Sequence, residues 1–497
     1  MMNRENFMCT ARGIFIAGRW APGRGDIFES LSPWDGGVLW RGTEADEEQV
    51  SAAVLAAREA LPSWAGRNFF ERQRILARFA TELDRRCEEL ARAIALETGK
   101  PLWEARGEIS SMIGKLQLTL EAFEQRCAPQ QRQIADAVGG TRFKPHGVAA
   151  VFGPFNMPGH LPNGHIMPAL LAGNTIVFKP SERTPWTAEL TVELWREAGL
   201  PPGVMNLVQG SQSVGEVLAK HPGLDAIFFT GSFAAGQAIL RANQPFPHRL
   251  LALEMGGNNP LLVFDCADAQ AAAYHTIVSA FLTAGQRCTC ARRLIVPTNS
   301  DGRRFIDVLV EMTGRVRCGG PLETPEPFMG PVITPAAVEK LLAVQNDLIA
   351  RGARPLTPAR RIADHSLLLA PGILDVTDVA DRADEELFGP LLQVIRTPDF
   401  EQGLDEANQT RFGLCAALLS DRRDLFDLFY ARVRAGLLHF NRPTNGASGA
   451  LPFGGVGYSG NHRPSGFWAV DYCSYPVATL ESVRVRTPTP PLPGITI

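Results

Sequence analysis

The chain has 497 residues, with 49 Lys and Arg against 52 Asp and Glu for a net charge of −3, and 45% hydrophobic and 20% charged residues. That length suits about three units at roughly 150 residues per domain, and a near-neutral surface gives no purchase for nucleic acid or an anionic membrane. Nine cysteines, an odd number with no repeated CxxC pairs, argue against a disulfide framework and against a zinc site.

In the first 20 residues Arg4, Glu5, Arg12 and Arg19 interrupt every apolar stretch, so neither a signal-peptide core nor a spanning helix can form there. The expected compartment is the cytoplasm. Residues 44–127 read as helices, with Val50, Ala53, Val54, Ala57 and Leu61 on one face and Ile75, Phe79 and Leu83 on another. Gly139 and Gly140 separate two polar segments and predict a hairpin turn, an exposed ribbon that invites a partner strand.

From His146 short apolar runs alternate with helical stretches, which predicts an α/β fold with a doubly wound parallel sheet. Gly173, Gly199 and Gly223 read as helix C-caps or turns. A second alternating series starts at Leu261, so the domain boundary falls near Gly257. The expected division is 1–126 with 146–256 as a dinucleotide-binding domain, 257–445 as a second α/β domain carrying the thiol, and 127–145 with 468–497 as a hairpin and C-terminal arm. The tail, RVRTPTPPLPGITI, reads as an extended arm.

Two positions carry candidate covalent chemistry. Cys288 lies just past a helical run and just before an apolar strand, where an exposed reactive thiol would sit. Glu254 ends another strand and is followed by two glycines, Gly256 and Gly257, after Met255. A thiolate can attack an electrophilic carbon, and a nearby carboxylate can later activate water against the acyl group.

The turn Gly231, Ser232, Phe233, Ala234, Ala235, Gly236 follows a strand and precedes a helix expected to begin near Gln237. Backbone amides at such a turn can hold a pyrophosphate, although it is not GxGxxG and also fits a plain strand-to-helix turn. Lys179, Ser181 and Glu182 end another strand of the same sheet. Lys179 and Glu182 could grip a ribose, with the carboxylate repelling a 2′-phosphate and so favouring NAD over NADP, or they form a solvated turn pair.

GQRC around Cys288, LEMGG around Glu254, TGS with its later glycine, FKPSE, PFNMP (Pro154–Pro158) and EELFGP (Glu385–Pro390) occur in an order that resembles the aldehyde dehydrogenase superfamily along nearly the whole chain. The resemblance implies a Rossmann-type NAD-binding domain, a second α/β catalytic domain and a small β oligomerisation hairpin. It also implies Cys288 as nucleophile, preferred over Cys290, with Glu254 as general base and Asn156 as oxyanion donor. Phe155, Glu386 and Phe388 would lie at the nicotinamide side. In that scheme the Cys288 adduct loses hydride to the nicotinamide, and the thioester left behind is hydrolysed by water deprotonated by Glu254. The oxyanion would be held by the Asn156 amide and the Cys288 N–H, each donor worth about 3 kcal/mol. A homo-oligomer, at least a dimer, is also implied.

Three further segments, residues 154–174, 280–297 and 441–466, together with the ending DYCSYP (Asp471–Pro476), resemble the branch of that superfamily that oxidises N-succinylglutamate 5-semialdehyde in the succinyltransferase route of arginine breakdown. Such a substrate carries two carboxylates. Arg287, Arg442 and Arg463 are the candidate guanidinium partners, each with an internal salt bridge as the alternative. His160 and His165, five apart, read as packing or hydrogen-bonding residues, and no metal is expected. Phe155, Phe233 and residues 466–468 depart from the usual pattern and bear on pocket shape. Succinate or glutamate semialdehyde is the alternative substrate. A cysteine hydrolase or acyltransferase is the non-redox alternative, which would leave the FKPSE and GSFAAG loops without a use.

Overall fold

The computed structural model describes residues 9–363, 366–487 and 492–495. Arg4 and Glu5, and six positions of the proline-rich tail, lie outside the described residues. Two short strands, β1 (Ile14–Ile16) and β2 (Arg19–Ala21), precede four helices, α1 (Glu47–Ala65), α2 (Phe69–Arg85), α3 (Cys87–Thr98) and α4 (Leu102–Arg126). Asp46 with Gln49, and Asn68 with Glu71, form reciprocal capping boxes that start α1 and α2. Val50, Ala53, Val54 and Ala57 are buried in α1, and Ile75, Phe79 and Leu83 in α2, while Leu61 stays partly exposed.

The hairpin that follows, β3 (Gln130–Ile134) and β4 (Ala137–Pro145), does not turn where its glycines are. The turn is at Ala135 and Asp136, with Ala135 at φ +50°, and Gly139 and Gly140 pair inside the ladder with Arg132 and Gln131. A Cβ at Gly139 would come 2.3 Å from Ile134 Cδ1. The residue therefore makes room for a neighbouring side chain rather than for a bend.

Among the described residues the first large sheet has seven strands. After β5 (Val148–Phe152) come α5 (His160–Ala172), β6 (Thr175–Lys179), α6 (Pro185–Glu197), β7 (Met205–Leu207), α7 (Gln212–Lys220), β8 (Ala226–Gly231), α8 (Phe233–Asn243) and β9 (Leu250–Met255). The spatial order is β9-β8-β5-β6-β7-β1-β2, parallel from β9 to β7 and antiparallel through β1 and β2. Gly173, at φ +102°, closes α5 in the left-handed conformation.

Helix α8 begins at Phe233, four residues before the expected start near Gln237. Ser232 is its N-cap, accepting from the Ala235 amide, so Phe233 to Gly236 form a helical turn rather than a loop ahead of the helix.

The chain crosses to a second sheet through Gly256, Gly257 and Asn258. There β10 (Asn259–Val263), α9 (Ala269–Phe281), β11 (Ala291–Pro297), β12 (Arg354–Thr357), β13 (Gly372–Asp375), β14 (Leu391–Thr397), β15 (Cys415–Leu419) and β16 (Leu437–Phe440) follow. Their order is β12-β13-β14-β11-β10-β15-β16. A last strand, β17 (Ser474–Glu481), returns antiparallel to β4 and completes a small sheet β17-β4-β3. Among the described residues no helix is long and apolar enough to cross a membrane.

Candidate active site

Glu254, on β9, and Thr230, on β8, are register partners at the C-terminal ends of their strands, the end at which open α/β sheets bind ligands. Glu254 is 1% exposed, and its Oε1 has no hydrogen-bond partner. The loop that faces it leaves α9 through Thr283, Ala284 and Gly285, three consecutive left-handed residues at φ +57°, +53° and +71°. At Gly285 a Cβ would lie 2.2 Å from the Gly389 carbonyl oxygen, so the close approach as well as the φ requires glycine.

Side chains hold this strained loop by its carbonyls. Arg292, fully buried, donates to Gly285 O at 2.6 Å and Arg287 O at 2.8 Å. Asn259 donates to Cys288 O at 2.7 Å and Cys290 O at 2.9 Å. Asn156, 5% exposed, donates from Nδ2 to Gln286 O at 2.9 Å. That leaves its second amide hydrogen for a ligand oxygen. Among the described residues the Cys288 amide has no protein acceptor. Among those residues Asn156 and the Cys288 amide thus each keep one N–H without a protein acceptor.

Cys288 is half-buried rather than exposed, and packs with Phe453 against Leu414, Cys415 and Leu437. Burial, reinforced by the Glu254 and Glu386 carboxylates, pushes its thiol well above the ordinary range. Burial likewise lifts Glu254 to about 8, with the thiol's hydrogen bond lowering it and the charge of Glu386 raising it. Glu386 rises to about 7 through burial, against the pull of Arg292, and accepts from Gly257 N at 3.2 Å. Thiol and carboxylate thus share one low-dielectric site, and in the free protein both hold protons near neutrality. Such shifts mark groups placed for proton transfer.

The remaining candidates divide. Phe155 and Phe388 meet edge to face, with ring centroids 5.9 Å apart, beside Arg292. Lys179, 6% exposed, ends β6 with Glu182 and Glu44 as its charge neighbours, and Ser181 hydrogen-bonds Glu182 at 3.5 Å. Gly236 lies so close on β9 that a Cβ would meet Met255 Sδ at 2.3 Å. Ser232, Ala234 and Ala235 are exposed and Gly231 is half-buried, so the amides of the first turn of α8 face outward. These residues fit a dinucleotide: a helix N-terminus at which Ser232 caps only the Ala235 amide, for the pyrophosphate, with a buried lysine and a carboxylate at the end of β6, two strands away, for a ribose. Phe233 instead lies flat on Tyr458, with centroids 4.1 Å apart and planes at 12°.

Of the three arginines proposed for substrate carboxylates, Arg287 is committed elsewhere. It pairs with Glu104 at 2.8 Å and donates to Thr283 Oγ1 at 2.7 Å, because the loop conformation turns its side chain toward α4. Arg463, at φ +50°, donates to Gly455 O at 2.6 Å. Arg442 is exposed and near His275.

The Aldehyde dehydrogenase family profile matches residues 20–477. The chain belongs to the aldehyde dehydrogenase family. Relatives named N-succinylglutamate 5-semialdehyde dehydrogenase are 52% identical in Chromobacterium violaceum, over 97% of this chain and 99% of theirs, and 50% identical in Hahella chejuensis, over 99% and 100%. Among solved structures, an NAD-dependent aldehyde dehydrogenase from Sinorhizobium meliloti superposes with a TM-score of 0.92 at 30% identity, covering 98% of both chains. A mutant indole-3-acetaldehyde dehydrogenase from P. syringae in complex with NAD gives 0.90 at 30% identity, covering 95% of this chain and 97% of that one.

In this aldehyde dehydrogenase several residues around the site escape a reading of the sequence. Asn259 and Arg292 hold the thiol loop from below, and only the run Gly256 to Pro260 hinted at the former. The 457–461 segment lines the edge of β9: Gly460 bridges Glu254, Asn461 accepts from Leu253 N at 2.8 Å, and Ser459 donates to Gly256 O at 2.7 Å. No local pattern marks those three, since they lie some 200 residues from the strand they fix.

Proposed function

We propose that this chain oxidises N-succinyl-L-glutamate 5-semialdehyde to N-succinyl-L-glutamate with NAD, in arginine breakdown by the succinyltransferase route. The observation that carries the reading is the Cys288 thiol and the Glu254 carboxyl in one buried site, in a chain at least 50% identical to relatives bearing that activity's name over nearly its whole length.

The Cys288 thiol gives up its proton to solvent as Sγ bonds to the aldehyde carbon. The carbonyl oxygen becomes an oxyanion held by Asn156 Nδ2 and the Cys288 N–H, donors that the loop's anchors fix in advance. NAD supplies the hydride acceptor when bound. Lys179, Ser181 and Glu182 would hold its adenosine ribose, the turn Gly231–Gly236 its pyrophosphate, and Phe155, Glu386 and Phe388 its nicotinamide end. Oxidation of the adduct leaves a thioester on Cys288. Glu254 then takes a proton from water as the oxygen attacks the acyl carbon, and the Cys288 sulfur leaves.

Glu182 favours NAD, because a 2′-phosphate beside it would meet like charge. A cytoplasmic location agrees with a nicotinamide-linked catabolic step. The outer strand β3, exposed at every residue, supports assembly as a homo-oligomer through the small sheet.

The test compares kcat/KM of the purified enzyme on N-succinylglutamate, glutamate and succinate semialdehydes, each with NAD and NADP. The succinylated aldehyde with NAD is expected to lead by at least tenfold. A lead for either unsuccinylated aldehyde would overturn the assignment.

A further inference from the structure

Helix α4, which packs on α5, carries three buried charges: Glu104, Glu108 and Lys115, at 4%, 1% and 5% exposure. Both carboxylates have cations. Glu108 pairs with Lys100 at 2.7 Å and accepts the Gly159 and His160 amides at 2.8 and 3.0 Å, so it already closes the N-terminus of α5. Glu104 pairs with Arg287. Among the described residues Lys115 has no carboxylate partner, and its Nζ donates to the Gly466 carbonyl at 2.7 Å. Three cations less two carboxylates leave Lys115 as the cation without a carboxylate, and burial lowers it to about 8, so it is still mostly charged at neutral pH. A buried ammonium without a counterion is costly by several kcal/mol, which is a reason to look for an anion from outside the chain.

His160, the first residue of α5, lies within electrostatic reach of Lys115 and Arg287, and burial lowers it to about 4, so the ring is neutral. Its Nδ1 is shut away without a partner, while the residue as a whole is only half-buried. The single proton of a neutral ring then belongs on Nε2, the edge open to solvent, where it can be donated. One turn on, Gly164 leaves space: within 4 Å of a Cβ there, only Ser465 Oγ appears, at 3.4 Å. Ser465 and Gly466 pair with Phe453 and Pro452, and Phe453 and Cys288 pack on the same apolar cluster of Leu414, Cys415 and Leu437. Through Gly466 and its strand partner, Lys115 is thus linked to the segment that shares an apolar cluster with the thiol.

We propose that Lys115 and His160 are specificity-determining residues that receive a carboxylate of the substrate, Lys115 as counter-charge and His160 as hydrogen-bond donor. The inference rests on the proposed carboxylated substrate and moves its recognition from the loop arginines to helices α4 and α5. It also explains why Arg287 can be given over to Glu104: the anion has another cation to meet.

The test measures kcat/KM for N-succinylglutamate semialdehyde and for an uncharged aldehyde, hexanal, in wild type, Lys115→Met, Lys115→Arg and His160→Leu. The ratio of the two efficiencies is expected to fall at least tenfold in Lys115→Met and in His160→Leu, mostly through KM for the charged substrate. Lys115→Arg should keep it within about threefold, since either cation can pair with a carboxylate. An unchanged ratio, or equal losses on both aldehydes, overturns the pocket. NAD binding reports folding, and if Lys115→Met does not fold, His160→Leu decides alone. A wild type with no preference for carboxylated aldehydes would sink the substrate assignment instead, whereas a preference that survives the substitutions sinks only the pocket.

Discussion

Asn259 donates to the Cys288 carbonyl at 2.7 Å while its Oδ1 accepts from the Cys415 amide at 3.0 Å, so one side chain ties β10 to the thiol loop and to β15. Asn259→Ala would leave these buried groups unpaired, at about 1–3 kcal/mol for each group that water cannot reach. Stability to urea should fall by roughly 3 kcal/mol and NADH formation by tenfold or more. A variant with wild-type midpoint and rate would show that the loop keeps its shape without this anchor.

Cys288→Ala should abolish NADH formation while NAD still binds, because removing Sγ leaves the loop's carbonyl anchors in place. Calorimetric titration with NAD and absorbance at the NADH band check both halves. Residual turnover near the wild-type rate would pass the nucleophile's role to Cys290, which is buried against the Leu282 carbonyl.

Glu254→Gln should allow a first-turnover burst of NADH and then stall at the thioester, which rapid-mixing kinetics resolves. If the burst is lost as well, the carboxylate acts before hydride leaves.

The raised Glu254 value, about 8, gives a signed pH dependence. Because the folded carboxyl binds its proton more tightly than the unfolded one, its contribution to stability is full below about 4.3 and is lost as pH climbs through about 8. Glu386, at about 7, acts in the same direction. Activity runs the other way: a base must be ionised, so thioester hydrolysis should rise with pH through about 8. Hydrolysis rates in Glu254→Gln should lack that rise, and its unfolding free energy should decline less steeply over the same range. A wild-type profile that is flat there would contradict the burial of this group.

Phe233 stacks on Tyr458, and Phe412 meets both rings edge on, with Arg411 over Tyr458, so the start of α8 is clasped to the 457–461 segment. In a double-mutant cycle Phe233→Ala and Tyr458→Ala should show a coupling of about 1 kcal/mol in stability. Strictly additive losses would mean that the stack holds nothing.

Much of this protein is legible from its chain. The alternation of apolar runs and helical stretches from His146 onward marks parallel β-α units, since periods of two and of 3.6 residues are local properties. The order of the GQRC, LEMGG and FKPSE motifs likewise points to thiol, carboxylate and nucleotide sites. Where local signals had two readings, packing decided. Gly139 and Gly140 serve a ladder because the side chains of Ile134 and Thr479, respectively, take the space a Cβ would fill, and Phe233 belongs to a helical turn because Ser232 caps it.

What only the tertiary structure set is who partners whom. Arg287 is 183 residues from Glu104, and Lys115 is 351 from Gly466. Nothing in the residues near either cation tells which acid it will meet. The packing of α4 on α5 and on the thiol loop assigns Arg287 a carboxylate and leaves Lys115 without one, because inside a low-dielectric interior a charge is matched by whatever the fold brings within hydrogen-bonding distance.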